Sequence, residues 1–73
     1  MQKHKHSAIN DLILAEIKAS PGIQQIELTT LMTDRYRIPP SSTRYLIINL
    51  ERKGKIRREL IGGGRVVFLY PAE

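Results

Sequence analysis

PPSSTRYLIINLERKGKIRRELIGGGRVVFLY, residues 39–70, is the stretch whose reading decides the fold. Thr43, Leu46, Ile47 and Leu50 recur at i, i+3, i+4 and i+7, one stripe of a helix, so a helix is expected over 40–53. Pro39-Pro40 bars a helix from running through position 38, because a residue before proline is pushed out of the α region. Pro40 itself suits a first turn, where its missing N–H costs nothing. Glu51-Arg52-Lys53-Gly54 places cations near the C-terminal dipole and a glycine at the exit. Residues 55–61 and 65–70 then read as two β-strands around Gly62-Gly63-Gly64. Arg65-Val66-Val67-Phe68-Leu69-Tyr70 is rich in β-branched and aromatic residues, and the glycines permit the positive φ of a tight hairpin. Pro71 is expected to stop the second strand.

Upstream the pattern is helical. Ile9, Leu12, Ile13 and Ile17 form one stripe at i, i+3, i+4 and i+8, widened by Leu14 and Ala15, which predicts a helix over 7–19 with Ser7 as its N-cap. Ser20-Pro21-Gly22 ends it. A second helix is expected over 24–33, with Ile26, Leu28, Leu31 and Met32 on its apolar side. Ile23 packs back as an anchor, Gln24 is a weak cap, and Thr29-Thr30 lowers the propensity slightly. Thr33-Asp34-Arg35-Tyr36-Arg37-Ile38 reads as a polar connection. The expected class is α+β: three helices and a two-stranded hairpin in one domain over residues 7–70. Residues 1–6 form a basic arm and 71–73 a tail. Lys3-His4-Lys5-His6 reads either as an arm adding phosphate contacts or as plain disorder.

Composition narrows the function. Seventy-three residues suffice for one small domain. The chain has no cysteine, so disulfides and thiolate metal sites are excluded. His4 and His6 alone do not make a structural zinc site, and no cofactor is expected. An apolar fraction of 41% supports an aliphatic core. No apolar run approaches the roughly 20 residues of a membrane span, and Asn10, Asp11, Glu16 and Lys18 interrupt any signal-peptide core. A cytoplasmic protein is expected, nucleoid-associated if prokaryotic. Residues 1–36 carry four basic and four acidic side chains, whereas residues 37–73 carry eight basic and three acidic, so the whole net charge of +5 lies in the second half. One-sided basic charge is the footprint of a polyanion binder.

Pro21-Gly22-Ile23 followed by Glu27-Leu28, and Ser41-Ser42-Thr43-Arg44-Tyr45-Leu46 followed by Leu50-Glu51-Arg52-Lys53-Gly54-Lys55-Ile56, together resemble small bacterial and archaeal winged helix-turn-helix regulators over residues 7–70. The resemblance implies a DNA-binding, non-enzymatic protein of transcription regulation, with helix 40–53 in the major groove and wing 55–70 on the backbone or in the minor groove. Two departures stand out. Asp34-Arg35-Tyr36-Arg37 looks like an insertion between helices 2 and 3, and Pro39 stands where that family usually has a Ser or Thr cap.

If the stripe of helix 40–53 faces the core, Ser41, Ser42, Arg44, Tyr45 and Asn49 remain to read bases, with Arg44 suited to bidentate recognition of guanine. Ile48 reads as packing. Arg57, Arg58 and Arg65 are the wing clamp, unless they merely blunt an exposed strand edge. Lys53 and Lys55 are candidates for phosphate contact, as are the backbone amides around Gln24 and Gln25, where helix 2 opens. No nucleophile–base pair has a recognisable spacing, and the glycine run lacks the Lys-Ser/Thr of a phosphate loop, so catalysis is not expected. The alternatives are a winged-helix protein-interaction module, which would gain if Ile48, Ile61 and Val67 formed one patch, and a non-specific nucleic-acid binder. A homodimer would supply the second half-site that so small a chain lacks.

Overall fold

A computed structural model describes residues 3–72, with side chains from residue 8 onward. The order of elements is α1 (Lys3–Ala19), β1 (Ile23–Gln24), α2 (Gln25–Tyr36), α3 (Pro40–Arg52), β2 (Ile56–Ile61) and β3 (Val66–Pro71). The class is α+β, with three helices against a three-stranded antiparallel sheet rather than a lone hairpin. The sheet order is β1-β3-β2, which puts the last strand in the middle.

Helix α1 starts at Lys3, before the expected cap Ser7. Nothing in Lys3-His4-Lys5-His6 breaks a helix, so the backbone expected as an arm continues the first helix. The side chains of these four residues lie outside the described residues. Ile13 and Ile17 are fully buried, and Ile9, Leu12 and Leu14 pack against the same core.

Helix α2 runs three residues past its expected end and absorbs Asp34, Arg35 and Tyr36. The apparent insertion is therefore an extra helical turn, and only Arg37, Ile38 and Pro39 remain to connect α2 with α3. Arg35 is tied to α1 by an ion pair to Glu16 at 2.9 Å, which supports the extra turn. Thr29 and Thr30 both donate their hydroxyls to the carbonyl of Ile26, at 2.8 and 2.9 Å. Their hydrogen-bonding capacity is thus used inside the helix instead of competing with it. Leu28, Thr29 and Met32 are the buried face. Ile26, expected on that face, sits two residues before Leu28 and so about 200° around the helix from it; it is 72% exposed.

Helix α2 stops at Arg37, which adopts the left-handed conformation, φ 59 and ψ 33. Its N–H donates to the carbonyl of Thr33 at 2.9 Å, and the Thr33 hydroxyl donates to the carbonyl of Ile38 at 2.6 Å. Glycine is the residue that usually occupies such a cap, because it has no Cβ to crowd. Arg37→Gly is expected to stabilise the fold by about 0.5–1 kcal/mol, the relief of the left-handed strain less the entropy glycine adds to the unfolded chain. A urea denaturation curve with a raised midpoint and an unchanged slope is the expected result.

Pro39 precedes α3 without a side-chain cap, and Pro40 occupies the first turn. The carbonyl of Pro39 accepts from the amides of Ser42 and Thr43. Thr43, Leu46, Ile47 and Leu50 are buried, as their stripe predicts. Thr43 is 0% exposed and its hydroxyl has no hydrogen-bond partner among the described residues. Thr43→Val keeps the shape and removes the unpaired hydroxyl. It should raise stability by about 1 kcal/mol, read as a gain of roughly 4–8 °C in Tm.

Gly54, at φ 75, turns the chain from α3 into β2. Ile56 of β2 and Leu69 of β3 close the core from below, where Ile38 and the buried helix residues meet. The pairs run from Ile56↔Pro71 through Arg58↔Leu69 to Ile61↔Val66, so Pro71 is the last residue of β3 rather than a stop before it. The amide of Ala72, in the expected tail, still donates to the carbonyl of Lys55. Gly62, Gly63 and Gly64 make the hairpin turn, all at positive φ. The sheet's third strand, β1, is only two residues long. Ile23 pairs with Leu69 and Gln24 with Phe68, and the amide of Gly22 donates to the carbonyl of Leu69 at 2.7 Å. This short strand anchors the start of α2 against the middle of the sheet.

Candidate nucleic-acid interface

Burial of one face of α3 turns the others outward. Ser41, Ser42, Arg44 and Tyr45 are exposed, Tyr45 by 62%, while Asn49 is half-buried. Successive residues are rotated by about 100°, so these side chains do not form one row. Arg44 lies on the side of α3 next to the hairpin. Ser41, Ser42 and Tyr45 line a separate cleft beside α1 and the turn before α3.

On the hairpin side, α3 faces a groove of about 210 Å³. Arg44 contributes one wall. Gly64 and Arg65, from the hairpin turn, contribute the opposite one, and Gln24 and Gln25 close the end where α2 begins. Three elements far apart in sequence thus bring four of the expected contact residues together. The connecting strand β1 makes this possible by fixing Gln24 opposite Phe68. Among the described residues no carboxylate lines the groove. Gln24 caps α2 without a side-chain hydrogen bond, so the first-turn amides are left open to another acceptor. The side-chain oxygen of Gln25 is buried with no partner among the described residues. Ile26 stands at the lip of the groove as an exposed apolar side chain. Sequence reasoning missed it because an isolated isoleucine in an apolar helix reads as core.

The other cations take different places. Arg58 donates from Nε to Glu51 at 2.8 Å. Ile56 points into the core, and alternation along β2 puts Arg58 on the same face, towards α3. The half-exposed pair adds little stability, but it fastens the hairpin to the last full turn of α3. Arg58 is therefore a tie between the two elements rather than a free member of the clamp. Arg57 is on the opposite face, its guanidinium 5.2 Å from the ring centre of Tyr70, its cross-strand partner. Such a cation–π contact holds the arginine over the ring. Of the three hairpin arginines, only Arg65 lines the groove with Arg44.

Lys53 and Lys55 lie at the far end of α3, about 14 Å along the axis from Arg44 at 1.5 Å per residue. They line a small cleft with Asn10 and Asp11 of α1. They extend the basic surface without joining the groove. Ile61 pairs with Val66 and Val67 with Leu60, so Ile61 and Val67 lie on opposite faces of the sheet. They cannot belong to the single apolar patch, shared with Ile48, that an interaction module would present. Among the described residues no group of His, Asp or Glu could hold a metal ion, and no helix is long and apolar enough to cross a membrane.

The chain matches no family model, no curated protein and no solved structure.

Proposed function

We propose that this chain is a winged-helix domain that binds duplex DNA in a sequence-specific manner and serves transcription regulation. The observation that carries the proposal is the groove in which Arg44 on α3, Arg65 on the hairpin turn and Gln24 and Gln25 at the start of α2 converge, with no acidic lining among the described residues. The order α1-β1-α2-α3-β2-β3 with sheet order β1-β3-β2 is compatible with a winged-helix layout. With α3 in a major groove, Arg44 meets base edges, where an arginine pairs with both acceptors of guanine. The open amides of α2 and the wing-tip Arg65 then clamp backbone or minor groove on the flank.

The test is a selection from random duplex DNA at two salt concentrations. An enriched motif is expected, with affinity falling on a log–log salt slope of roughly −3 to −5, since each neutralised phosphate contributes about −0.9. Binding with no motif would make the protein a non-specific binder. No binding to duplex at low salt would overturn the DNA reading altogether. Two half-sites at fixed spacing in the selected motif would identify a dimer on DNA.

A further inference from the structure

The cleft on the other side of α3 has a different character. Ile9 of α1, Ile38 of the turn and Leu46 of α3 line it as buried or half-buried apolar residues. Tyr36, which ends α2, and Tyr45 flank it, with 40% and 62% of their surface exposed. Arg37, Ser41 and Ser42 supply its polar groups. Its volume is about 570 Å³. Small-molecule sites fall in that size range and combine mostly apolar walls with a few placed polar groups.

Charge selects the ligand. Among the described residues no carboxylate lines the cleft and Arg37 forms no ion pair. A guanidinium beside hydroxyls matches the planar, two-oxygen geometry of a carboxylate. Tyrosine rings offer flat apolar surface with a polar tip. We infer that this cleft binds a small organic carboxylate with a flat apolar body, the carboxylate at Arg37 and the serine hydroxyls, the body against Tyr36 and Tyr45. Ser41, Ser42 and Tyr45 lie on α3, the helix that the DNA reading puts in the major groove. A ligand that occupies them binds the free protein better than the DNA complex and lowers the apparent affinity for DNA. That coupling rests on the DNA reading, whereas the ligand site does not.

Benzoate is the probe, with benzamide as its uncharged counterpart, titrated into the DNA-free protein at constant ionic strength and followed by NMR. Saturable shifts centred on Tyr36, Ile38, Ser42 and Tyr45 are expected, with benzamide at least about tenfold weaker. Arg37→Gly, which suits the left-handed backbone, should weaken benzoate about tenfold without lowering the Tm. Equal binding of benzoate and benzamide would overturn the inference. So would shifts that never saturate or that spread over the basic half, or an Arg37→Gly variant that binds benzoate as well as the parent. A second arm adds duplex DNA. If benzoate saturates the cleft and DNA affinity stays constant, the coupling is wrong and the ligand site stands. If the protein binds no duplex even without benzoate, the DNA reading fails and the first arm still decides the ligand site.

Discussion

Arg44→Ala is expected to lower affinity for the selected duplex by about 1–3 kcal/mol, roughly 5- to 150-fold, and to leave affinity for unrelated duplexes nearly unchanged. Arg44 is exposed on the first half of α3, carries no ion pair among the described residues, and lines the groove opposite the hairpin turn. A base contact gains its energy only at one sequence, so its loss flattens the sequence preference. Arg65→Ala should behave differently. Arg65 follows three glycines at positive φ and lines the groove from the hairpin turn, where the proposed reading gives it a backbone contact. Its loss is expected to weaken all duplexes by a similar factor and to reduce the salt slope by about 1. The comparison needs only parallel titrations of both variants on the selected and a scrambled duplex at two salt concentrations. A uniform loss for Arg44→Ala would remove it as the base reader and leave α3 a backbone-contacting helix.

Arg58→Ala provides the internal control for this assignment. Its guanidinium is already engaged by Glu51, so any effect on DNA works through the position of the hairpin. Glu51→Ala should then produce the same change as Arg58→Ala, although it adds positive charge to the molecule where Arg58→Ala removes it. A simple electrostatic contribution from Arg58 would give the two variants opposite signs.

How much of this was legible in the sequence depended on whether the cause was local. The stripe of α3 was readable because four buried residues repeat at helical spacing and prolines and a glycine mark its ends. The hairpin was readable for the same reason, from three glycines between β-prone runs. Strand β1 was not. Two residues carry no periodicity, and Ile23 and Gln24 are a strand only because Leu69 and Phe68, some 45 residues later, lie beside them. The end of α2 was hidden too. Asp34-Arg35-Tyr36 looks like loop by polarity, but Arg35 finds Glu16 on α1, and the stop falls on a left-handed arginine instead of a glycine. Within the candidate site, residue type alone marked Arg44 and Arg65. That Arg58 would be spent on Glu51 required the hairpin to fold back over α3, which spacing in the chain does not reveal.

Leu69→Ala is expected to cost about 3–5 kcal/mol, the range for truncating a fully buried leucine whose neighbours cannot close the cavity. For a chain of this size the total stability is roughly 4–11 kcal/mol at 0.05–0.15 kcal/mol per residue, so the variant should be largely unfolded at moderate urea or modest heating. The position of Leu69 makes collapse of the cavity difficult. It is 0% exposed, lies on the central strand, and is flanked by Ile23 of β1 on one side and Arg58 of β2 on the other. Its carbonyl also receives the Gly22 amide that holds β1 in place. Relaxation around a smaller side chain would have to move both neighbouring strands at once, and with β1 the end of the groove formed by Gln24 and Gln25. Leu60 is the contrast. It shares the inward face of β2 and pairs with Val67, but near the hairpin tip it is 54% exposed. Leu60→Ala should therefore cost under about 1 kcal/mol, because the side chain has little buried area to lose. Urea denaturation followed by far-UV circular dichroism separates the two. If Leu60→Ala destabilised as much as Leu69→Ala, the hairpin tip would be part of the core. The tip would then be too rigidly packed to adjust to the flank of a bound duplex.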